Sequence, residues 1–470
     1  MFRFPRLSGL ALTAVLAAWG GCASAQTPPD YRALAHAILK QLVEINSVHA
    51  NGSTVAAEAV ASRALAGGFA AEDVAVLAPP DHPTKGNTVI RLRGKGLGKP
   101  LLVIGHLDVV EAERSDWTTD PFQLVEKDGY AYGRGSEDMK GEDALMLTTL
   151  IRLKAEGFKP DRDIIVAFTA DEEAGGDADG PQWLLKAHPE LVSAGLSLNQ
   201  DGGGPAIVDG KVAFIGVETS EKLYATYELE TTNPGGHSSL PRTDNAIYQL
   251  TAGLQRLAAF HFPVHLTDTT RAYFRSYAAL RPPAERPDML AVAGPTPDLA
   301  AAERLSREPL MNALLHTTCV TTMVRAGVSE SALPAFAHAT VQCRLIPGET
   351  PEATQATLER VLADPAIKVS VDLPIDPSYE TKPSPQVFAR YAEAASSLWG
   401  QLPVIAILEP GASDSVYTRL AGIPSFMAGA IPFPLGESRA HGRDERVRWA
   451  DFDQGLAFDY RLFKIMSQRD

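Results

Sequence analysis

A histidine and an aspartate at the end of an apolar run have the spacing of a metal ligand and its support. His106 and Asp108 stand two positions apart in GHLDVV. Alternate residues of a strand leave the same face, so Asp108 could orient the His106 imidazole while the other ring nitrogen binds a metal. A hydrogen-bonded histidine at a strand end has the same pattern, so this signal is weak by itself.

Four further acids occur in short glycine-containing segments. Asp138 lies in YGRGSEDMKG, Glu172 and Glu173 in TADEEAGG, and Asp201 in LNQDGGG. Singly they suggest a helix cap, solvated loop acids and a glycine-rich turn. Together with the histidine they fall at three predicted strand ends and one loop. Mixed histidine and carboxylate ligands suit zinc, a shared carboxylate suits a metal pair, and His441 in AHGRDERV is the best candidate for a second histidine.

The elements that must position these residues predict α/β architecture. Helical periodicity runs from about residue 31 to 69, and a helix is expected over about 142–156. The strand candidates are Asn87–Gly94, Leu101–Val110, Asp163–Glu173 and Leu196–Asp201. The runs that start at Leu101 and Ile164 are nearly all apolar, as in strands covered on both faces. Their polar residues come at the C-terminal ends, where open α/β sheets bind ligands.

The pattern changes from about Ser220 and predicts a separate α+β insert. It contains alternating strands, helices over 245–259 and 351–363, a hairpin-like pair around 326–334 and a last strand over 367–373. The proline-rich stretch 261–309 is unassigned. Apolar-strand patterns return over 404–408 and 423–430, so residues 26–218 and 376–470 are predicted to form one domain and 219–375 another.

The N-terminus predicts export. Arg3 and Arg6 precede an apolar run and an Ala23-Ser24-Ala25 site, so residues 1–25 are expected to be a cleaved signal peptide and the protein periplasmic or secreted. Lipid anchoring through Cys22 is less favoured, because Trp19 fits such signals poorly. No later stretch approaches about twenty apolar residues, so no membrane span is expected.

The charge argues against one class of binding partner, and the cysteines bear on the redox state of the compartment. The formal net charge is −14, which makes nucleic acid an unfavourable partner. Only Cys319 and Cys343 follow the signal segment, both in strand-like stretches. One bridge between them is open in an oxidising compartment, but two separate buried thiols are favoured.

Eight motifs in order resemble peptidase family M20, which includes glutamate carboxypeptidases, carnosinases, aminoacylases and succinyl-diaminopimelate desuccinylases. They are GHLDVV, GRGSEDMKG, TADEEAGG, LNQDGG, GGHSSLP, CRLIPGET, GASDS and HGRDER, spread through nearly the whole mature chain. The resemblance implies a mixed-sheet catalytic domain, with residues 219–375 as an inserted lid and dimerisation domain. It also implies a homodimer.

The resemblance assigns the metal ligands. It implies that His106 and Asp201 hold one zinc, that Glu173 and His441 hold the other, and that Asp138 bridges them. Co²⁺ or Mn²⁺ could take the place of zinc.

Further roles follow from the same resemblance. Asp108 would support His106 and Glu172 would be the general base. The peptide bond after Asp138 is expected to be cis. His237 in NPGGHSSLP would reach the metal site of the partner subunit and steady the oxyanion.

Two residues of the insert are predicted to bind substrate. Arg344 in CRLIPGET matches an arginine that contacts the substrate carboxylate, with a lid-surface salt bridge as the alternative. Ser331 in SESALP stands where the family usually has asparagine. A hydroxyl cannot copy all of an amide's hydrogen bonds, so specificity is not transferred by analogy, and the large residues of 261–309 could also reshape the pocket.

The leading functional hypothesis is a zinc-dependent carboxypeptidase or dipeptidase that hydrolyses short peptides with activated water. A deacylase of N-acyl amino acids uses the same chemistry and is the alternative. A non-catalytic, metal-stabilised binding protein is the third hypothesis. It is disfavoured because Glu172, which has no structural task, is intact.

Overall fold

The computed structural model describes residues 30–176, 178–373, 375 and 377–469. The predicted signal peptide, Cys22 included, lies outside these residues, as does residue 376, where the first domain is predicted to resume. The helices are α1 Tyr31–Val43, α2 Thr54–Ala66, α3 Lys140–Ala155, α4 Gly180–Ala187, α5 Pro189–Val192, α6 Ala246–Ala258, α7 Asp268–Tyr277, α8 Arg286–Val292, α9 Leu299–Leu305, α10 Pro309–Leu315, α11 Pro351–Leu362, α12 Pro385–Trp399, α13 Ser415–Leu420 and α14 Trp449–Met466.

The strands alternate with these helices along the chain. They are β1 Val74–Leu77, β2 Asn87–Leu92, β3 Leu101–His106, β4 Val125–Lys127, β5 Tyr130–Tyr132, β6 Ile164–Thr169, β7 Leu196–Asn199, β8 Gly204–Val208, β9 Lys211–Glu221, β10 Leu223–Thr232, β11 Gly236–His237, β12 Thr318–Ala326, β13 Ala332–Leu333, β14 Phe336–Leu345, β15 Lys368–Val371, β16 Val404–Glu409, β17 Ser425–Met427, β18 Phe433–Pro434 and β19 Arg446–Arg448.

A large mixed sheet forms the centre of the molecule. Its order is β1-β2-β6-β3-β7-β17-β9-β8-β18, and β16 pairs with β9. The neighbours β6, β3 and β7 run parallel, whereas β1, β2 and β6 pair antiparallel. All residues of β3 and β6 are buried, as expected of strands covered on both faces. The predicted α/β class with a mixed sheet is confirmed.

Helices cover the large sheet with apolar faces. On α1 the buried residues Ala35, Ile38, Leu39 and Leu42 recur at helical spacing and join the main core. The helical pattern predicted over 31–69 proves to be two helices, because the chain turns between α1 and α2. Gly52 has φ +75 in this turn, and a Cβ there would lie 2.2 Å from the Thr84 carbonyl oxygen.

A second sheet lies within the predicted insert. Its order is β12-β14-β10-β15, all strands are antiparallel, and α6 and α11 share an apolar cluster with it. β12 is an edge strand with exposed Val320, Met323 and Val324. These features agree with an α+β insert, whose boundaries at residues 219 and 375 stay a prediction.

The proline-rich stretch 261–309, which the sequence pattern left unassigned, contributes α7, α8 and α9 and leads into α10. These helices pack against the large sheet, because Phe274 and Met289 share an apolar cluster with Ile405 and Leu408 of β16. The stretch therefore covers part of the large sheet although it lies inside the insert in sequence.

The two cysteines after the signal segment are joined, which corrects the expectation of separate thiols. Cys319 on β12 lies opposite Cys343 on β14, and their sulfurs form a disulfide. The strand pattern identified each position as extended but could not show that the two strands are neighbours in register. In the described residues, no helix is long and apolar enough to cross a membrane.

Removing this disulfide is expected to lower the free energy of unfolding of the insert by about 3 kcal/mol. The reason is that the unfolded chain gains conformational entropy when the loop between the two cysteines is no longer closed. The two cysteines are 24 residues apart in sequence. The Cys319→Ser, Cys343→Ser double variant, compared with the oxidised protein by urea unfolding, measures the loss. A free-thiol titration of the unreduced protein is the control, since two reactive thiols in it would contradict the bridge.

Candidate metal centre

Three parallel neighbours of the large sheet bring the predicted site residues to one edge. His106 is the last residue of β3, Glu172 and Glu173 follow β6, and Asp201 follows β7. Because these strands are adjacent and parallel, their carboxyl ends meet. Asp138 reaches the same edge from the loop before α3.

The side chains form two groups that share one carboxylate. His106 Nε2 lies 3.0 Å from Asp138 Oδ1 and 3.2 Å from Asp201 Oδ1. His441 Nε2 lies 3.0 Å from Asp138 Oδ2 and 3.0 Å from Glu173 Oε2. Asp138 therefore presents one oxygen to each group, which is the arrangement predicted for a bridging ligand. The five predicted ligands are brought together in the predicted combination.

The donor atoms fit a pair of divalent metal ions. In each group one imidazole nitrogen and two carboxylate oxygens lie within 4.8 Å of one another. Ligand atoms bound to one tetrahedral zinc at roughly 2.0–2.2 Å lie about 3.3 Å apart, close to the distances between histidine and carboxylate here. The nitrogen and oxygen donor set suits zinc and similar divalent ions.

Asp108 supports the site differently from the prediction. His106 Nδ1 donates to the Asp108 backbone carbonyl at 3.0 Å, which leaves Nε2 as the ligand atom, whereas the Asp108 carboxylate is 3.8 Å from Nδ1. That carboxylate instead accepts the backbone N–H groups of Glu172 at 3.2 Å and Glu173 at 3.1 Å. β3 ends at His106, so the alternation of strand side chains no longer applies at Asp108.

Glu172 belongs to neither group of ligand atoms found in the described residues. Its side chain is half-buried. Burial raises the pKa of Glu172 well above its usual range, and the neighbouring Asp201 carboxylate raises it further. A carboxylate that is close to the ligands but not one of them suits a proton-transfer role.

The turn that carries Glu172 is anchored by the residue before it. Asp171 is buried and has φ +66. Its carboxylate pairs with Lys85 and lies 2.8 Å from His49 Nδ1. These contacts hold the turn after β6 in the conformation that points Glu173 at His441.

A buried ion pair that the sequence patterns left without a role joins two ligand loops. One Glu445 oxygen accepts the backbone N–H groups of Glu137 at 2.8 Å and Asp138 at 3.1 Å, and the other accepts Arg134 Nη1. Arg134 also donates to the Gly442 carbonyl at 3.2 Å. Burial raises the pKa of Glu445 to about 7, although Arg134 opposes the shift. Arg134 lies in the GRGSEDMKG motif and Glu445 lies in the HGRDER motif, so the motifs were the sequence signal that could have identified this pair.

The predicted lid residues lie on a small ribbon in the insert. β11 pairs with β13, so His237 faces Ala332 next to Ser331. In the described part of the chain, the His237 ring bonds only to Ser239, whose N–H and hydroxyl donate to Nδ1 at 3.2 and 2.7 Å. The Ser331 carbonyl accepts the Ser238 N–H at 3.1 Å. His237 is exposed, its Nε2 has no bond among the described residues, and these residues do not bring it to the metal ligands.

Arg344 is half-buried on β14, and its guanidinium lies 4.7 Å from the Tyr224 ring centroid. Its guanidinium has no hydrogen bond or ion pair among the described residues, so the lid-surface salt bridge considered above is not found there, although the Glu409 carboxylate is near enough to act on its charge. The donors of its planar fork are available to a bound carboxylate.

A cavity of about 460 Å³ adjoins the metal ligands. Asp138 and Asp201 line it with four further carboxylates, and Met139, Ile431 and Phe433 supply apolar wall. Its volume lies within the range of small-molecule sites, roughly 300–1,000 Å³.

The sequence model of peptidase family M20/M25/M40 matches residues 102–464. The chain belongs to this family. Within it, the chain is 29% identical over 379 residues to N-fatty-acyl-amino acid synthase/hydrolase PM20D1 of Homo sapiens, covering 78% of this chain and 74% of that one.

Solved structures of M20 proteins share the fold. The M20 family metallo-carboxypeptidase Sso-CP2 from Sulfolobus solfataricus aligns with TM-score 0.67 and 18% identity over 92% of this chain and 99% of its own. The YXEP protein of Bacillus subtilis, a dinuclear metal binding peptidase, aligns with TM-score 0.58 and 14% identity over 93% and 98%. The predicted family and fold are confirmed, and the chain belongs to a family of hydrolases.

Proposed function

We propose that the protein is a zinc-dependent amide hydrolase that releases an amino acid with a free carboxylate from N-acyl amino acids. The observation that carries the proposal is Asp138, which presents one oxygen to each of two ligand groups beside the non-ligand Glu172. The similarity to an N-fatty-acyl-amino acid synthase/hydrolase supports this substrate class. Short peptides are the second candidate, since the structural neighbour Sso-CP2 is a metallo-carboxypeptidase.

The chemistry divides between the metal ions and the side chains. Two bound zinc ions would lower the pKa of water and polarise the scissile carbonyl. Glu172 accepts the proton of the attacking water and returns it to the departing amine. Arg344 holds the carboxylate of the amino acid, and His237, supplied by the second subunit of a homodimer, stabilises the negative charge on the carbonyl oxygen.

We also propose that the protein acts in an oxidising compartment, periplasmic or secreted. The Cys319–Cys343 disulfide supports this location, because such bonds persist mainly outside reducing cytosol.

The proposed pairing of Arg344 with the substrate carboxylate, called here the carboxylate anchor, has two halves that can be removed separately. One experiment removes the charge of the substrate and the other removes the arginine. Amidation of the substrate carboxylate should lower kcat/KM of the wild type by about one to two orders of magnitude, since a charge-assisted pair is worth roughly 1.5–3 kcal/mol. The same amidation should change kcat/KM of Arg344→Ala much less, because the partner is already gone. Steady-state kinetics on N-acyl amino acids and their amides, with a dipeptide panel alongside, measures both effects.

Two control variants separate pairing from damage to the lid. Arg344→Lys keeps the charge but loses the planar fork, so it should recover little activity. Arg360→Ala removes an exposed arginine from α11 of the same insert and should behave as wild type. Equal turnover of free and amidated substrates by the wild type would exclude the carboxylate anchor. Turnover of dipeptides alone would favour the peptidase alternative.

A further inference from the structure

The wall of the cavity beside the metal ligands is acidic. It contains six carboxylates and, among the described residues that line it, no lysine, arginine or histidine. The six are Glu137, Asp138, Glu142, Asp201, Glu218 and Glu409. Two bound metal ions would engage Asp138 and Asp201, so four glutamates remain without a metal. A cleft lined by charges of one sign concentrates its field and attracts ligands of the opposite charge.

One of these four glutamates differs from the others in its bonding. A serine hydroxyl donates to Glu137 at 2.6 Å, and backbone N–H groups donate to Glu142 at 2.9 Å and to Glu409 at 2.8 Å. Glu218 is only 3% exposed, yet its Oε2 is buried without a hydrogen bond among the described residues. A buried carboxyl oxygen without a donor is costly, so its presence in a cavity wall points to a donor that the ligand supplies.

The nearest arginine does not pair with this carboxylate. Arg419 is close enough to act on the charge of Glu218, but its guanidinium bonds to Glu221 at 2.6 Å. Burial raises the pKa of Glu218 well above its usual range, and the Glu409 carboxylate raises it further. A cation in the cavity would therefore gain an acid that the chain itself leaves without an ion-pair partner.

Glu218 lies next to the loop that carries a metal ligand. Strand β17 lies between β7 and β9, and Glu218 of β9 pairs with Met427 at the end of β17. Asp201 follows β7, and a Cβ at the next residue, Gly202, would lie 2.9 Å from Glu218 Oε1. Because glycine has no Cβ, the residue after the metal ligand leaves space beside the Glu218 carboxylate.

Glu409 connects this position to the carboxylate anchor. Strand β16 pairs with β9, and Glu409 is its last residue. The Glu409 carboxylate lines the cavity and is near enough to Arg344 to act on the charge of the guanidinium. In an N-acyl amino acid, the side chain leaves the carbon between the scissile amide and the carboxylate. With the amide at the metal centre and the carboxylate at Arg344, that side chain would lie beside Glu218 and Glu409.

We propose that Glu218 and Glu409 form a subsite for a positively charged side chain, and that the preferred substrates are N-acyl amino acids whose side chains end in an ammonium or guanidinium group. The inference rests on the proposed function and specifies the amino acid that is released. A cationic side chain supplies the charge-assisted hydrogen bonds that Glu218 lacks. An uncharged side chain leaves that carboxyl without a partner, and an acidic side chain is repelled.

The experiment compares Nα-acetyl-L-lysine with Nα-acetyl-L-norleucine, whose unbranched side chain has no charge, on the zinc-loaded protein. The wild-type kcat/KM should be higher for the lysine compound by about one to two orders of magnitude, the effect of one charge-assisted pair. Glu218→Gln keeps the shape of the side chain but removes its charge, so it should lower the ratio of lysine to norleucine kcat/KM by about tenfold or more. Glu409→Gln should also lower this ratio. Glu58→Gln makes the same change at an exposed glutamate of α2 outside the cavity and should leave the ratio unchanged.

Binding of free L-lysine and L-norleucine, measured by calorimetry, reports on the subsite without turnover. Lysine should bind more tightly to the wild type and to Glu58→Gln, and Glu218→Gln should remove most of the difference. Melting curves confirm that the variants are folded. Equal kcat/KM for the two compounds in the wild type, or a ratio that Glu218→Gln leaves unchanged, would overturn the subsite. Absence of hydrolysis of every N-acyl amino acid would instead overturn the proposed function, and the binding comparison then decides the subsite separately.

Discussion

Glu172→Gln is expected to lower kcat by about two to four orders of magnitude while both metal sites stay filled. The reason is that Glu172 is outside both ligand groups, yet lies near them in a half-buried position. Glutamine has nearly the same shape and keeps the packing, but it cannot accept the proton of the attacking water. Steady-state kinetics and metal analysis of the purified variant give the two measurements.

The neighbouring residue supplies a matched control. Glu173→Gln makes the same chemical change one position later, at a carboxylate 3.0 Å from His441 Nε2. It should lose metal from the second group as well as activity. If Glu172→Gln lost metal to the same extent, Glu172 would be a ligand and the assignment of the general base would be wrong.

His237→Ala is expected to lower kcat by about two to three orders of magnitude, the effect typical of removing one oxyanion donor. We propose that His237 acts on the metal centre of a partner subunit, since it is exposed and, among the described residues, its ring bonds only to Ser239. The edge strand β12, with exposed Val320, Met323 and Val324, supports a dimer through the insert. The site would then be complete only in the homodimer.

Mixing two inactive variants tests this arrangement. In hybrids of His237→Ala with Glu172→Gln, one site has both residues intact and the other has neither. Random exchange into two-fold dimers should therefore restore roughly a quarter of wild-type activity. Glu172→Gln mixed with Glu173→Gln is the control and should restore nothing, because both residues come from the same subunit. Failure of the first mixture, with subunit exchange confirmed by native mass spectrometry, would exclude a shared site.

Much of the metal centre was predictable from the chain because its signals are local. The apolar runs of β3 and β6 predict buried strands whichever strands lie next to them in the sheet. A polar residue directly after such a run falls at the carboxyl end of the strand. His106, Glu173 and Asp201 therefore converge once the three strands are parallel neighbours. The ligand roles of Asp138 and His441, which lie in loops, depended on the motifs instead.

The helices and strands were predictable to a similar extent. Helix α6 and helix α11 lie within one or two residues of the predicted ranges, since their apolar spacing is regular. The helices of the stretch 261–309 were not predictable from the sequence, because they are short and prolines interrupt the pattern. Their apolar residues match the face of the large sheet that they cover, and no local pattern reveals that face.

Only the tertiary structure decided contacts between residues distant in sequence. It pairs Cys319 with Cys343, brings Glu445 to the backbone of Asp138, and turns the Asp108 carboxylate toward Glu172 and Glu173. Periodicity reports which face of one element a residue occupies, but it contains no information on which element packs opposite. Strand register, loop conformation and the shape of the cavity beside the metal ligands arise from that packing, so they appear only when the whole chain is folded.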